Sequence, residues 1–309
     1  MQKASRITVA VLSGGIGSER EVSIESGKHV ASALRQAGYN VINSDIRPDA
    51  LDILDDRSVD VFFPALHGEF GEDGQLQQIL EDRGLRYVGC GPDASRIAFD
   101  KVAAKQVICS AGVSVPRHIR CDSADAVNLE GISADSADKY VIKPIRQGSS
   151  VGVSIVDQPE KVRTVVAETV DRFGPCIVEQ FITGRELTVG ILDGKALPII
   201  EIRPKTKFYD YSAKYVDDQT EFAFDTIEDA ATVRDIQTAA VQCFEAIGGR
   251  HFSRVDFILS SDRMPYALEV NTIPGFTSHS LLPKAAARAG VSMSEMCSKV
   301  VNLAVGTGS

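Results

Sequence analysis

Residues 252–275 read FSRVDFILSSDRMPYALEVNTIPG, and the two halves of this stretch predict a β-hairpin because side chains alternate in both. If the turn is centred just after Asp262, Asp256 lies directly opposite Glu269. Asn271 follows two residues on, hence on the same face. Two carboxylates and an amide oxygen suit Mg²⁺ or Mn²⁺ held with a polyphosphate better than zinc. The hairpin therefore indicates nucleotide chemistry.

The alternative interpretation is the solvated face of an edge hairpin. Two neighbouring features favour a functional site. Arg254 alternates onto the face of Asp256, and Asn271 leads into the turn 272–275, whose glycine lets backbone N–H groups approach a ligand. A cation, a metal and backbone donors on one surface would stabilise developing negative charge.

Length and composition indicate an ordinary globular protein of two or three domains: 309 residues, 44% hydrophobic and 24% charged. The net charge of −9 argues against a nucleic-acid partner. No apolar run approaches the roughly 18 residues of a membrane span, and the apolar run 7–12 is too short for a secretory signal. The six cysteines show no metal spacing, so we interpret them as reduced core residues of a cytoplasmic protein.

The first hundred residues alternate strands with helices, which predicts an open parallel sheet. Ser18 and Glu21 have capping-box spacing, so a helix is predicted to begin there and to end at Ala37. Another helix is predicted from Ser95 to Ala111. Strands are predicted at 7–12, 41–45, 59–63, 139–144, 153–156 and 176–181. Ligands bind such sheets at the carboxyl ends of the strands.

Two further stretches are candidates for ligand binding. The loop 147–152 joins two predicted strands, and its small residues expose N–H groups that can hold phosphate oxygens beside Lys143. Gly-Ser turns are also common in purely structural loops. His67 follows an apolar strand and can donate to an anionic substrate, although a structural histidine remains the alternative. The glycines at 14–17 do not complete GxGxxG because Arg20 stands where the third glycine belongs.

A set of motifs, taken together, resembles the D-alanine:D-alanine ligases of the ATP-grasp superfamily. In order, they are GG (14–15), EREVS (19–23), ALHG (65–68), GEDG (71–74), GSSVG (148–152), FYDY (208–211), AKY (213–215), RVD (254–256) and EVNTIPGFTSHSL (269–281). One motif alone is weak, whereas the ordered set is specific. Gly17, Gln147 and Ser253 depart from the residues usual in the family, and none of these departures removes a proposed ligand.

The resemblance implies an α/β architecture in three parts. An N-terminal domain with an open parallel sheet would cover 1–100 and be followed by a two-part ATP-grasp (α+β) module. Its central subdomain would cover 101–184, and its C-terminal subdomain, 185–309, would carry the metal site. ATP would lie between these subdomains. Residues 203–224, rich in lysine and tyrosine, would form a lid that excludes water and becomes ordered when ligands bind.

The resemblance also implies the reaction, which makes D-alanyl-D-alanine for peptidoglycan synthesis. The carboxylate of a first D-alanine attacks the γ-phosphate of ATP, and the amine of a second D-alanine displaces phosphate from the resulting acyl phosphate. The expected cofactors are ATP and two Mg²⁺ or Mn²⁺ held by Asp256, Glu269 and Asn271. The expected assembly is a homodimer. The alternatives are a ligase making D-alanine:D-lactate or another carboxylate–amine product, and a silent nucleotide-binding regulator.

Residue by residue, Glu19 would bind the first ammonium and His67 the first carboxylate, while Arg254 and the Gly275 N–H would form the oxyanion site. The acceptor subsite would contain Ser280, Leu281 and Lys214. Ser149 and Tyr215 would close the lid by hydrogen bonds to Glu19; ligases making D-alanine:D-lactate lack that tyrosine. The nucleotide would meet Lys101, Lys143, Ser150, Glu179, Gln180, Phe181, Ile182, Glu186, Phe208, Phe257 and Leu268.

Overall fold

The computed structural model describes residues 7–130, 132, 139–204 and 220–306. Three sheets follow one another along the chain, the first parallel and the other two antiparallel. The predicted α/β class is therefore confirmed. Phe208, Lys214, Tyr215 and most of the predicted lid lie outside the described residues.

The N-terminal sheet has the strand order β2-β1-β3, with every pair parallel as predicted. Val9 to Leu12 and Val61 to Phe63 are continuous buried runs, as expected of parallel strands covered on both faces. The elements are β1 Thr8–Gly14, α1 Arg20–Gln36, β2 Asn40–Ile46, β3 Val61–Pro64, α2 Gln75–Asp82, α3 Pro92–Phe99 and α4 Lys101–Ser110.

Two predictions about helix ends are wrong. The single helix predicted from Ser95 to Ala111 is two helices, because Asp100 ends α3 and caps α4 by accepting hydrogen bonds from two backbone N–H groups. The capping box predicted from Ser18 does not form: Glu19 is the N-cap residue of α1, and its side chain makes no capping hydrogen bond. The carboxylate of Glu19 turns instead toward another part of the chain, described below.

The central sheet has the order β4-β7-β5-β6, and the C-terminal sheet has the order β11-β10-β8-β12-β13 with β9 beside β8. Their strands are β4 His118–Cys121, β5 Tyr140–Pro144, β6 Ser154–Val156, β7 Cys176–Gln180, β8 Gly184–Leu192, β9 Lys195–Ala196, β10 Ile200–Arg203, β11 Glu221–Phe224, β12 Phe252–Ser260 and β13 Pro265–Asn271. The accompanying helices are α5 Val162–Phe173, α6 Ala230–Ala246, α7 Leu281–Arg288 and α8 Met293–Val305. Strands β10 and β11 pair with each other at the two ends of the predicted lid.

The hairpin of β12 and β13 has the predicted register at the candidate metal ligands, with Asp256 opposite Glu269. Its turn, however, is centred on Asp262, since Ser260 pairs with Met264. A bulge compensates for this offset. In β13, Leu268 is an extra residue that lies between the residue paired with Asp256 and the residue paired with the next position of β12. The end of the hairpin that carries the candidate metal ligands is therefore paired as it would be if the turn were centred half a residue further along the chain.

The N-terminal and C-terminal sheets meet through three buried aromatic rings. Phe276 packs edge-on against Phe63 and Phe252, with ring centroids 5.5 and 5.4 Å apart. These rings belong to one core that also contains side chains of α1 and α8. This packing fixes the start of the loop after β13. Among the described helices, none is long and apolar enough to cross a membrane.

Candidate active site

A cleft of about 800 Å³ lies between the start of α1 and the hairpin of β12 and β13. It brings together predicted site residues that are up to 262 positions apart in the sequence, from Glu19 to Leu281. Those lining it include Glu19, His67, Ser149, Arg254, Glu269 and Ser280. The fold therefore gathers most of the described candidate substrate residues around one space.

Asp256 is the most densely hydrogen-bonded residue of the hairpin. Its two carboxylate oxygens accept from Arg254 Nε and Nη2, each at 2.9 Å, so the guanidinium is held as a fork. Thr188 Oγ1 donates to one oxygen at 2.6 Å and Asn271 Nδ2 to the other at 3.0 Å. Arg254, Asp256 and Asn271 therefore share one face, as the sequence predicts.

The same face suits a hard divalent cation. Glu269 lies opposite Asp256, and Lys101 Nζ is 3.8 Å from its carboxylate. In the described part of the chain, no three His, Cys, Asp or Glu side chains cluster as a metal site. The candidate protein ligands on this face are therefore two carboxylates and the Asn271 amide. Mg²⁺ is commonly held by one or two carboxylates, with phosphate oxygens and water completing its shell. The donor set therefore fits the predicted metal.

Glu19 reaches across the cleft to the loop after β5. Ser149 Oγ donates a hydrogen bond to Glu19 Oε1, which is the contact the sequence predicts. Ser149 and Ser150 adopt left-handed backbone conformations, with φ of 51° and 59°. Non-glycine residues are uncommon there, so the loop holds a strained shape that aims Ser149 at Glu19.

A second acid, Glu72, lies beside Glu19. Gly68 N donates to Glu72 Oε2 at 2.7 Å, and a Cβ added at Gly68 would lie 2.3 Å from Glu19 Oε2. Gly68 therefore separates two carboxyl groups and has no room for a side chain. Burial, and then the negative charge of Glu19, raise the pKa of Glu72 to about 8. This end of the cleft can accept a positive charge.

His67 joins α1 to the loop after β13. Its Nδ1 lies 3.0 Å from the Ile273 carbonyl oxygen, which only accepts, so Nδ1 carries the proton and donates. Its Nε2 lies 2.9 Å from Ser26 Oγ and therefore accepts from that hydroxyl. Burial lowers the pKa of His67 to about 4, and the charge of Arg254 acts in the same direction, so the ring is neutral at pH 7. Both nitrogens are thus engaged by protein groups.

Ser280 and Gly275 form the opposite wall. Ser280 is the N-cap residue of α7, and its Oγ accepts from Thr277 N at 2.9 Å. A Cβ at Gly275 would lie 2.5 Å from Ser280 Oγ, so a side chain at this position would have to displace the Ser280 hydroxyl. Leu281 lines the cleft and is 6% exposed. The candidate oxyanion donor and the candidate acceptor residues are therefore in contact.

A buried ion-pair cluster lies on the predicted nucleotide side. Glu179 is 2% exposed, and its oxygens are 2.8 Å from Lys105 Nζ and 2.7 Å from Lys143 Nζ. Burial acts to raise the pKa of Glu179, but the two lysines outweigh it and hold the pKa at about 2. Burial lowers the pKa of Lys105 to about 8 despite Glu179. Lys101 Nζ donates to the Gln147 carbonyl at 2.6 Å, which ties α4 to the loop 147–152.

The other candidate nucleotide residues divide by exposure. Gln180, Phe181, Ile182, Glu186 and Leu268 are partly exposed, whereas Phe257 is fully buried in the core. The bulge at Leu268 leaves its carbonyl 3.4 Å from Lys105 Nζ. Their roles toward adenine and ribose stay predictions.

Four residues of the site have no role in the predictions from sequence. Lys105 follows Lys101 by one helical turn and Ser26 follows Glu19 by two, so helical periodicity could have indicated both. Glu72 lies inside one of the recognised motifs. Thr188 is on a different strand from its partner Asp256, and no sequence signal points to it.

Comparison with known proteins adds to this geometry. Family models described as the D-ala D-ala ligase N-terminus and C-terminus match residues 48–90 and 110–302. The D-alanine–D-alanine ligase of Syntrophotalea carbinolica is 42% identical, with 97% of each chain covered. A D-alanine–D-alanine ligase structure from Bacillus anthracis has a TM-score of 0.85 at 33% identity, covering 97% of this chain and 98% of that one. The VanG D-Ala:D-Ser ligase structure from Enterococcus faecalis has a TM-score of 0.82 at 29% identity, covering 97% and 100%.

The parallel sheet, the two antiparallel sheets and the cleft between them define an ATP-grasp enzyme of the ATP-dependent ligase class. Within that class, the chain belongs to the D-alanine–D-alanine ligase family. The resemblance seen in the sequence motifs is thereby confirmed.

Proposed function

We infer that the chain joins two D-alanines with ATP to form D-alanyl-D-alanine, ADP and phosphate. The observation that carries this proposal is the arrangement of charges in the cleft. Its acidic end, at Glu19 and Glu72, faces the hairpin that carries an arginine and carboxylates. An amino acid has the complementary pair of charges. Membership of the family supplies the identity of that amino acid.

The first D-alanine would bind with its ammonium at Glu19, which Ser149 orients by a hydrogen bond. His67 would form the wall against its carboxylate, since both ring nitrogens are already bound by protein groups. Because the ring is neutral at pH 7, it does not compete with Arg254 for the negative charge. The carboxylate can then face the hairpin and attack the γ-phosphate.

Phosphoryl transfer would take place over the hairpin. Asp256, Glu269 and Asn271 would hold two Mg²⁺ or Mn²⁺, which supply charge neutralisation and alignment of the phosphate oxygens. On the nucleotide side, Lys101 and Lys143 would contact phosphate, and the N–H groups around Ser150 would hold its oxygens. The predicted segments around Glu179 and Glu186 would contact adenine and ribose.

The second D-alanine would lie against Ser280 and Leu281, with its amine attacking the acyl phosphate. The Gly275 N–H and Arg254 would stabilise the oxyanion, because donors held in place before reaction are worth most in a site that excludes water. Lys214 and Tyr215 would complete this subsite from the lid. The division into 1–100, 101–184 and 185–309, the lid at 203–224, the homodimer and the cytoplasmic location are part of the same proposal.

One specific observation favours testing a different second substrate. A similar structure is that of a D-Ala:D-Ser ligase, so a related fold accommodates a different second substrate. The test is phosphate release and product analysis with Mg²⁺-ATP and D-alanine alone, D-alanine with D-serine, D-alanine with D-lactate, and no amino acid. We expect D-alanyl-D-alanine as the main product in every D-alanine reaction. Phosphate release that is independent of D-alanine would contradict the proposal, and so would a mixed product in excess of the dipeptide.

A further inference from the structure

Helix α1 touches two separate parts of the site along one face. Glu19, at its start, accepts from the Ser149 loop. Ser26 lies seven residues on, two turns along the same face, and is fully buried. Its Oγ lies 3.3 Å from Phe276 N and 2.9 Å from His67 Nε2. The Ser26 hydroxyl therefore accepts one hydrogen bond and donates another.

These contacts form a closed ring around the turn that carries Gly275. Phe276 N donates to Ser26, Ser26 donates to His67, and His67 donates to the Ile273 carbonyl. The turn is thus held on both sides of Gly275 by polar contacts that come from α1 and from the end of β3. The aromatic packing of Phe276 holds its outer end.

Helix α1 is itself a fixed support. Gly27 lets it approach β1 so closely that an added Cβ would lie 2.6 Å from Ser13 Cβ. Because Glu19 and Ser26 belong to the same helix, a displacement of the turn relative to Glu19 would break the ring of contacts at Ser26 or at His67.

We propose that Ser26 is a positioning residue, which acts with His67 to hold the 272–276 turn so that the Gly275 N–H faces the oxyanion and stays in register with the ammonium subsite at Glu19. The proposal rests on the oxyanion role given to Gly275 above. It predicts that Ser26 contributes to the transition state more than to the binding of ATP.

The chain provides a matched control in Ser23. This serine is on the same helix, is also fully buried, and likewise accepts one backbone N–H and donates one bond. Its partners are Gly14 N at 2.9 Å and the Ala65 carbonyl at 2.8 Å, neither of which belongs to the turn. Ser23→Ala and Ser26→Ala therefore remove the same chemistry from equally buried sites.

The experiment compares kcat, KM for ATP and inhibition by a phosphinate analogue of D-alanyl-D-alanine, whose tetrahedral phosphorus mimics the intermediate. For Ser26→Ala we expect kcat to fall about 10- to 100-fold, the effect of misplacing a catalytic donor by about 1 Å. The inhibition constant of the analogue should rise by a similar factor, and KM for ATP should stay within about twofold. Ser23→Ala should keep kcat within about twofold of wild type with a similar loss of thermal stability.

Equal kcat and equal analogue binding in the two variants would overturn the positioning role. If Ser26→Ala does not fold, Ser26→Cys keeps the volume with a weaker donor, and the same two measurements on it test the proposal in the same way. Failure of the proposed function looks different, since the wild-type protein itself would then make no D-alanyl-D-alanine.

Discussion

Two buried glutamates at the two ends of the candidate site, Glu72 in the cleft and Glu179 in the ion-pair cluster on the predicted nucleotide side, have pKa values shifted in opposite directions. Burial acts to raise the pKa of both. The charge that acts most strongly on Glu72 is that of another carboxylate, Glu19, and the pKa of Glu72 rises to about 8. Beside Glu179 there are two lysines within 2.8 Å, and its pKa falls to about 2. Because burial acts in the same direction on both acids, the comparison teaches that the sign of the neighbouring charges decides in which direction each pKa moves.

The difference also supports the proposed placement of the substrates. The end with Glu72 has two neighbouring carboxyl groups and suits an ammonium group, whereas the end with Glu179 has more lysines than acids and suits phosphates. Between them, the hairpin carries both signs, with Arg254 against Asp256 and Lys101 near Glu269. Under the proposed function, an amino acid would therefore bind with its ammonium toward Glu72, and a nucleotide would bind with its phosphates toward the lysines.

The largest expected effect concerns the acids between the two ends. Glu269→Gln should lower turnover by about 1,000-fold or more while leaving the fold intact, because a bound metal supplies several kcal/mol of charge stabilisation. Asp256→Asn should behave in the same way. The measurement is phosphate release with Mg²⁺ as the only metal, with Glu245→Gln, on the exposed face of α6, as the control. Turnover like that of wild type in either hairpin variant would instead support the interpretation of the hairpin as a solvated surface.

The next effect tests the lysine-rich end. Glu179→Gln leaves two lysines without their carboxylate, so we expect the free energy of unfolding to fall by about 3–5 kcal/mol. Thermal or denaturant unfolding measures this loss, and the exposed Glu160→Gln provides a matched substitution in the same part of the chain. A loss below about 1 kcal/mol would show that the lysines do not depend on Glu179.

A smaller effect concerns closure over the acidic end. Tyr215 lies outside the described residues, and the prediction is that its hydroxyl joins Ser149 at Glu19. Losing one hydrogen bond to a charged group costs roughly 1.5–3 kcal/mol, so Tyr215→Phe should lower kcat/KM for the dipeptide by about 10- to 150-fold. D-lactate incorporation should increase most at low pH, where the amine is protonated. Unchanged dipeptide formation with no ester between about pH 6 and 9 would reduce Tyr215 to a packing residue.

The last effect is a pH dependence of the folding stability, which arises at Glu72. Its folded pKa is raised from 4.5 to about 8, so the folded state favours the protonated acid. The stabilisation is fully present below pH 4.5 and is lost as pH rises through about 8. Unfolding of wild type and Glu72→Gln across this range should show the wild-type free energy falling relative to the variant. Parallel curves would mean that Glu19 and Glu72 do not share a proton-favouring environment.

Much of the fold and site could be predicted from local patterns. The alternation of side chains along the strands predicts that Asp256 faces Glu269, and the alternation of strands with helices predicts a parallel N-terminal sheet; both are observed. These features depend on a period of two or on strand order, which neighbouring residues encode. The predicted turn centre was off by half a residue, and the bulge at Leu268 corrected it. A bulge depends on how the strands pack, so alternation alone does not reveal it.

The tertiary structure decided contacts between distant side chains, which local sequence patterns do not encode. Glu19 has the position of a helix cap, yet its carboxylate binds Ser149, 130 residues away, because the folded chain brings the loop after β5 to the start of α1. Ser26 binds Phe276 N, 250 residues away, for the same reason. The sequence by itself determined the family, the parallel N-terminal sheet and the pairing of Asp256 with Glu269, since these follow from motifs and periodicity. The pairing of acids with lysines or with other acids, and hence their pKa values, depends on distances that exist only once the sheets have packed.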